Sequence, residues 1–288
     1  MTHPALPRIE SGLAAMHAAL LGGDLEVMHV RLVEVLDALA EVTRAGFVPK
    51  QERASIPWNE PEVRTLVWQL LAAFKAADCH VFPYAGTLLG LERAGRLLPE
   101  DKDVDVGVWL EDFALAGRLL VQWGLQRASD VPPFANVATY VEPGTGTSLD
   151  LFGLRRDPMR GRVEGGVWLY GRPPSHQRLV ALPWFELAPR DGPAGPAWWP
   201  SAPDQVLAAL YGAGWRTPQA DWDTLVSNPS LQDLNLNWRC WALKSLCQCW
   251  LTGNLPRTRG VLAQIAARAG EDAQLRGWRE ALEAGAAT

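Results

Sequence analysis

Two aspartates separated by one apolar residue form the clearest chemical pattern in this chain. Asp103 and Asp105 alternate with Val104 and Val106, as polar and apolar residues do along a half-buried strand. Both carboxylates would then project to one face, where like charges repel unless a cation lies between them. Hard divalent cations with phosphate ligands commonly occupy such all-oxygen sites. The pair predicts metal-dependent phosphoryl chemistry, and the alternative is two exposed acids on an edge strand.

Two further acids extend this pattern. Asp150 lies between Leu149 and Leu151 in a second short apolar run, although a lone Leu-Asp-Leu also occurs in ordinary strands. We expect Asp103, Asp105 and Asp150 to hold Mg²⁺ or Mn²⁺ and to be the catalytic residues of in-line phosphoryl transfer. Asp150 is also the first candidate to accept the proton of an attacking hydroxyl. Asp101 is expected behind the metal ligands, with metal binding or proton removal as its alternatives.

A glycine-rich segment at residues 85–90 precedes the acids. We expect a turn there, with Gly86 at positive φ. The backbone amides of the turn would surround a phosphate group of the substrate that donates the transferred phosphate, the donor. The hydroxyl of Thr87 would donate one more hydrogen bond to that phosphate. Lys102 is a further candidate for donor binding, and a solvated loop residue is its alternative.

The glycine-rich segment and the acids together resemble the signature of the LicD/fukutin family. A later segment, residues 211–218, also resembles a tyrosine-glycine, tryptophan and proline segment of that family. The similarity spans roughly residues 60 to 225 and is dense only from 85 to 112. The residues that carry it are Gly86, Thr87, Leu88, Leu89, Gly90, Arg93, Gly95, Pro99, Asp101, Asp103 and Asp105.

The resemblance implies a nucleotidyltransferase fold and a specific reaction class. Members move a substituted phosphate, such as phosphocholine or ribitol phosphate, from a CDP-linked donor to a hydroxyl of a glycan. By its position, Arg93 would contact a donor phosphate, and the alternative is a helix cap. Tyr211 and Trp215 would contact the donor base or the acceptor, or serve only in packing. The chain has Glu100 where the family has an aromatic residue, and Lys102 where it has an acid.

Two other function classes stay open at this point. The same three acids suit a nucleotidyltransferase that moves the nucleotide itself to a small molecule. A non-catalytic protein that binds nucleotide or glycan is the third class, although binding alone would not need all three carboxylates. Product analysis separates the first two classes, because CMP release accompanies transfer of the distal phosphate and pyrophosphate release accompanies nucleotide transfer.

Composition restricts the class of protein further. Of 288 residues, 48% are hydrophobic and 20% are charged, so the chain has enough apolar side chains for a sizeable core. The net charge of −5 argues against a general nucleic-acid-binding protein. The first residues lack the layout of a signal peptide, and no apolar run is long enough to span a membrane. The four cysteines lack zinc-site spacing and are expected as buried thiols. These features predict a cytoplasmic protein.

Periodicity and turn residues predict the elements that would position the acids. The fold class is α/β, with a nucleotidyltransferase-like small mixed β-sheet flanked by helices and with added helices at both termini. We expect a helical hairpin at 1–55, a catalytic domain at 56–230 and a helical region at 231–288. The turn at residues 142–146 predicts a hairpin that ends in the Asp150 strand. Residues 191–203 are expected to be irregular, with Trp198 and Trp199 lining an acceptor cleft.

Overall fold

The computed structural model describes residues 3–47, 59–99, 101, 103–219 and 222–284. Its elements alternate between helix and strand in the middle of the chain and are helical at both ends. The helices are α1 (Leu6–Leu21), α2 (Leu25–Arg44), α3 (Glu60–Ala76), α4 (Ala85–Ala94), α5 (Phe113–Gln122), α6 (Pro203–Tyr211), α7 (Thr224–Ser227), α8 (Leu236–Leu251), α9 (Leu255–Ala269) and α10 (Ala273–Ala284). The strands are β1 (Val81–Pro83), β2 (Asp103–Trp109), β3 (Gln126–Arg127), β4 (Val137–Val141), β5 (Ser148–Asp157), β6 (Arg162–Val167), β7 (Arg178–Pro183), β8 (Leu187–Gly192) and β9 (Gly195–Pro200).

The central sheet is mixed. Its strands follow the order β1-β2-β5-β4-β3, and β6 pairs with both β5 and β7. Strands β2 and β5 run parallel, whereas the β1–β2 and β4–β5 pairs are antiparallel. The predicted fold class, a small mixed sheet flanked by helices with more helices at both ends, is confirmed.

Local sequence explains why the hairpin before Asp150 forms. Residues 142–146 contain the turn formers proline and glycine, and Glu142 accepts hydrogen bonds from the backbone N–H groups of Gly144 and Thr145. The strands on either side pair from Val141 opposite Ser148 onwards. This tight connection sets the register, so alternate residues of β4 and β5 share a face. The predicted hairpin is confirmed.

The helices of the two chain ends pack against each other. Helix α2, whose N-terminus is capped by Asp24, lies against α8 and α10. The indole N–H of Trp250 on α8 donates to the hydroxyl of Thr43 on α2, at 2.9 Å. Arg44 on α2 donates to the backbone carbonyl of Gly277 on α10, also at 2.9 Å. The boundaries 1–55, 56–230 and 231–288 stay a prediction.

The expectation of an irregular segment at 191–203 is wrong. Strands β8 and β9 form an antiparallel hairpin there. The ring of Trp199 stacks on Trp68 of α3, with centroids 5.5 Å apart, and Trp198 stacks on His80 at 4.9 Å. Both tryptophans therefore pack the hairpin against α3 and the start of β1. In these stacked positions each ring buries apolar surface that an irregular loop would leave exposed.

None of the helices in the described part of the chain has both the length and the apolar character needed to cross a membrane.

Candidate functional site

The parallel pairing of β2 and β5 places the predicted acids beside each other. In this register Asp105 lies directly opposite Asp150, and Asp103 lies opposite Ser148. Val104 and Val106, which alternate with the acids, are buried. The expected arrangement of Asp103, Asp105 and Asp150 on one face of neighbouring strands is therefore present. We call these three residues and Asp101 the acidic cluster.

Helix α4 begins at the acidic cluster, and its first turn holds Asp105. The backbone N–H of Gly86 donates to Oδ2 of Asp105 at 3.0 Å. The positive φ of this segment lies at Ala85, with a value of 39°, and not at Gly86. The expectation for Gly86 is wrong, because the sharp entry into α4 is made one residue earlier. A non-glycine residue in this region is strained, and such strain is concentrated at functional sites.

Thr87 connects α4 to the backbone of β2. Its hydroxyl oxygen accepts a hydrogen bond from the backbone N–H of Asp105, at 2.9 Å, and the side chain is 1% exposed. The structure thus gives Thr87 a positioning contact with the strand, which differs from the phosphate contact that we expected. Together the Gly86 amide and the Thr87 hydroxyl hold both the side chain and the backbone of Asp105.

Asp101 belongs to the acidic cluster as well. A Cβ atom added to Gly86 would lie 2.9 Å from Oδ2 of Asp101 and 3.1 Å from Oδ2 of Asp105. Only glycine therefore leaves room for both carboxylates against the first turn of α4. The close approach explains why a glycine is needed at this position although its φ is ordinary.

The electrostatics of the cluster disfavour full ionisation. Burial raises the pKa of Asp105 well above its ordinary value, and the charges of Asp103 and Asp150 raise it further. Burial also raises the pKa of Asp150, opposed by the hydroxyl of Thr139 on β4, which donates to Oδ1 of Asp150 at 2.6 Å. A bound cation or a proton would relieve this repulsion.

The acidic cluster suits a hard divalent cation, because all the candidate metal ligands are carboxylate oxygens. In the arrangement of the described residues, no three His, Cys, Asp or Glu side chains already form a group ready to hold a metal ion. The residues fit a metal ion by chemistry and by strand register.

A cleft of about 780 Å³ opens beside the cluster. Gly86 and Asp101 line it, together with Arg93, Tyr211 and Trp215. The guanidinium group of Arg93 donates two hydrogen bonds to the backbone carbonyl of Trp215, one of them at 3.1 Å from Nε. Burial, followed by the nearby charges of Asp105 and Asp101, raises the pKa of Tyr211. The predicted contacts Arg93, Tyr211 and Trp215 thus meet in one cleft.

Comparison with known protein families agrees with this architecture. Residues 78–137 match the model of the family described as LicD/FKTN/FKRP, nucleotidyltransferase domain. The chain carries a LicD-family domain. The matched segment contains α4 and β2, with Gly86, Asp101, Asp103 and Asp105, and it ends before Asp150.

Solved structures show a weaker similarity. A crystal structure of ANT(2")-Ia in complex with adenylyl-2"-tobramycin is 14% identical, with a TM-score of 0.33, over 77% of this chain and 97% of that chain. A solution structure of the antibiotic-resistance factor ANT(2'')-Ia is 14% identical, with a TM-score of 0.34, over 78% of this chain and 96% of that chain. A search among curated proteins found no match to this sequence.

Some residues around the LicD-family domain were missed by sequence reasoning or lie outside the described part. Lys102, a candidate for donor binding, is not among the described residues. Thr139 was missed, although the register of the β4–β5 hairpin places it opposite Asp150. Trp222 and Arg257 also line the cleft. No local pattern announces those two, because they come from segments more than a hundred residues after the acidic pair.

Proposed function

We propose that the protein is a metal-dependent phosphotransferase. It would move a substituted phosphate, of the phosphocholine or polyol phosphate type, from a CDP-linked donor to a hydroxyl of a glycan or related acceptor. The observation that carries the proposal is the pairing of Asp105 with Asp150, with Asp103 on the same strand, in a chain with a LicD-family domain. Half-buried carboxylates whose pKa values are raised by burial and by neighbouring charges are typical of sites built for chemistry rather than for stability.

In this proposal Asp103, Asp105 and Asp150 hold Mg²⁺ or Mn²⁺. The ion, when bound, neutralises charge on the donor phosphates and on the leaving group. The backbone N–H of Gly86 and the hydroxyl of Thr87 keep Asp105 in place. Arg93, which lines the cleft, would bind a donor phosphate through a charge-assisted hydrogen bond.

Asp150 is the proposed proton acceptor for the acceptor hydroxyl. Its raised pKa suits that role, and Thr139 orients its carboxylate. We expect Asp150→Asn to retain donor binding, because the amide oxygen remains a weak ligand and two carboxylates are left. Transfer should fall by about 10²–10⁴, as is typical when a general base is lost. Calorimetric titration of CDP-choline into each variant in Mg²⁺ measures donor binding. Comparison of that binding with the transfer rate separates metal binding from proton removal. Equal loss of binding in Asp150→Asn and Asp103→Asn would show that Asp150 mainly holds the metal, and Asp101 would become the next candidate base.

The proposal is tested by a screen of CDP-choline, CDP-ribitol and CDP-glycerol for metal-dependent release of CMP. Wild type should release CMP with at least one donor, and Asp105→Asn should not. Asp37→Asn, an exposed change on α2, is the matched control and should behave as wild type. Pyrophosphate release with a nucleoside triphosphate would show that the nucleotide itself is transferred. Nucleotide binding without any turnover would show a binding protein.

We also propose a cytoplasmic location. The four cysteines are free and buried, as is usual in proteins of a reducing compartment.

A further inference from the structure

The cleft beside the acidic cluster has a second wall, and this wall comes from the C-terminal helices. Ser245 and Gln248 on α8 and Arg257 on α9 line the cleft together with Gly86 and Asp101. The helical end of the chain therefore reaches the place where the donor must lie. Because α8 is also packed on α2, the position of this wall depends on the packing of both chain ends.

Two arginines face this cleft with no carboxylate partner among the described residues. Arg93 donates to the backbone carbonyl of Trp215, and Arg257 interacts with the thiol of Cys249. By contrast, Arg216 in the same region is paired with Asp204. A guanidinium group without a carboxylate partner retains its capacity for a bidentate contact with phosphate. The cleft is thus lined by two cationic side chains, one on α4 and one on α9.

The cleft also contains an aromatic ring whose hydrogen-bond donor has no acceptor among the described residues. Trp222 lines it, and its indole N–H is buried without a hydrogen-bond partner in the described part of the chain. A buried donor of this kind costs free energy unless a ligand satisfies it. Trp215 and Tyr211 add further ring surface nearby. Two arginine side chains, one unpaired hydrogen-bond donor and several aromatic rings suit an anionic ligand that carries a ring. The cleft volume of about 780 Å³ lies in the usual range for small-molecule sites.

We propose that Arg257 binds a phosphate of the nucleotide-linked donor, so that helix α9 forms part of the donor site. This inference rests on the proposed function, because it assigns the ligand of the same site. Arg257 is the binding cation contributed by the C-terminal helices, and Arg93 is the one contributed by α4.

The test is a calorimetric titration of CDP into the full-length protein, once in Mg²⁺ and once in EDTA. Arg257→Gln should weaken CDP binding by about tenfold or more, the size expected for a lost charge-assisted contact. Arg257→Lys should recover part of it, because the charge remains but the bidentate geometry is lost. Arg259→Gln is the matched control, since Arg259 follows on the same helix and donates to the backbone carbonyl of Leu282. Its CDP affinity should stay within about twofold of wild type.

The outcomes separate this inference from the function on which it rests. With CDP-linked donors, Arg257→Gln should raise KM for the donor and leave kcat nearly unchanged, because the contact is made in both bound states. Unchanged CDP binding in Arg257→Gln, with weakened binding in Arg93→Gln, overturns the inference and leaves the function intact. A raised KM for the acceptor in place of the donor overturns it as well. A wild-type protein that neither binds CDP nor releases CMP overturns both.

Discussion

The packed helices of the chain ends and the acidic cluster differ in whether their polar side chains have favourable partners. Between α2 and α8, Trp250 is 1% exposed and its indole N–H is satisfied by Thr43, which is itself buried. On β2 and β5, Asp105 and Asp150 lie opposite each other, and burial together with the negative charge of Asp103 raises the pKa of both. The first region lowers the free energy of the fold through apolar burial and paired polar atoms.

The acidic cluster raises that free energy, and the rest of the structure must offset it. The strained Ala85 and the crowded Gly86 lie at the same place. Natural proteins keep such unfavourable local arrangements where activity requires them. If the proposed function holds, stability and activity are located in different parts of this chain. Mutations should therefore separate them.

Asp105→Asn should give the largest effect. It removes one charge from the proposed metal site, and several kcal/mol of transition-state stabilisation correspond to roughly 10³-fold or more in rate. Thermal stability without metal should hold or rise, since repulsion with Asp103 and Asp150 is relieved. The measurement is CMP release together with melting curves in EDTA and in Mg²⁺ with CDP. A wild-type protein that gains no stability from Mg²⁺ and CDP would contradict the metal site.

Trp250→Ala should give the opposite result in the helical region. Removal of a buried tryptophan side chain typically costs about 3–5 kcal/mol, and the Thr43 hydroxyl also loses its partner. The free energy of unfolding, measured in urea, should fall by that amount. Trp250→Phe is the milder variant, which keeps most of the ring and should lose less. A destabilisation below about 1 kcal/mol for Trp250→Ala would show that this contact contributes little to the fold.

Gly86→Ala should reduce activity while the fold stays close to wild type. The new methyl group would meet Oδ2 of Asp101 at 2.9 Å and Oδ2 of Asp105 at 3.1 Å, so the carboxylates must move. Alanine is favoured in a helix by about 1 kcal/mol over glycine, which supports stability. We expect a loss of roughly tenfold in metal-dependent donor binding, because small displacements of ligating groups are costly. Gly277→Ala on α10 is a matched control. Equal donor binding by Gly86→Ala and wild type would leave the glycine with a structural role only.

The pH dependence of stability should show the smallest effect. The pKa values of Asp105 and Asp150 are raised above the ordinary 3.8, so the folded protein binds these protons more tightly than the unfolded chain. Stability without metal should therefore fall as pH rises from about 3.8 through the raised pKa values. Asp105→Asn should show a smaller fall over that range. Urea unfolding in EDTA at several pH values measures it, and identical slopes in the two proteins would contradict the raised pKa.

Much of the fold followed from local patterns in the chain. The N-terminal helical hairpin, the β4–β5 hairpin and the helices of the C-terminal region are all present. Each of these depends on contacts within a few residues, such as caps, turn residues and apolar spacing. The hairpin at β8–β9 was not predicted, because its tryptophans obtain their partners Trp68 and His80 from distant segments.

The sequence by itself determined which side chains form the acidic cluster. The residue types at 86, 101, 103 and 105, and their spacing, already indicated carboxylates on one strand face beside a glycine, and Asp150 was recognisable from its apolar neighbours. Strand periodicity is a local property, so it can be read without knowledge of the fold.

Tertiary structure alone decided how these groups are held and what lies beside them. Register between β2 and β5 put Asp105 opposite Asp150, and the β4–β5 hairpin brought Thr139 to Asp150. Packing of the chain ends carried α9, and with it Arg257, to the cleft. These contacts join residues that are far apart in the chain. Bringing such residues together costs loop-closure entropy, which burial of the whole hydrophobic core must offset, and no local sequence pattern shows that burial.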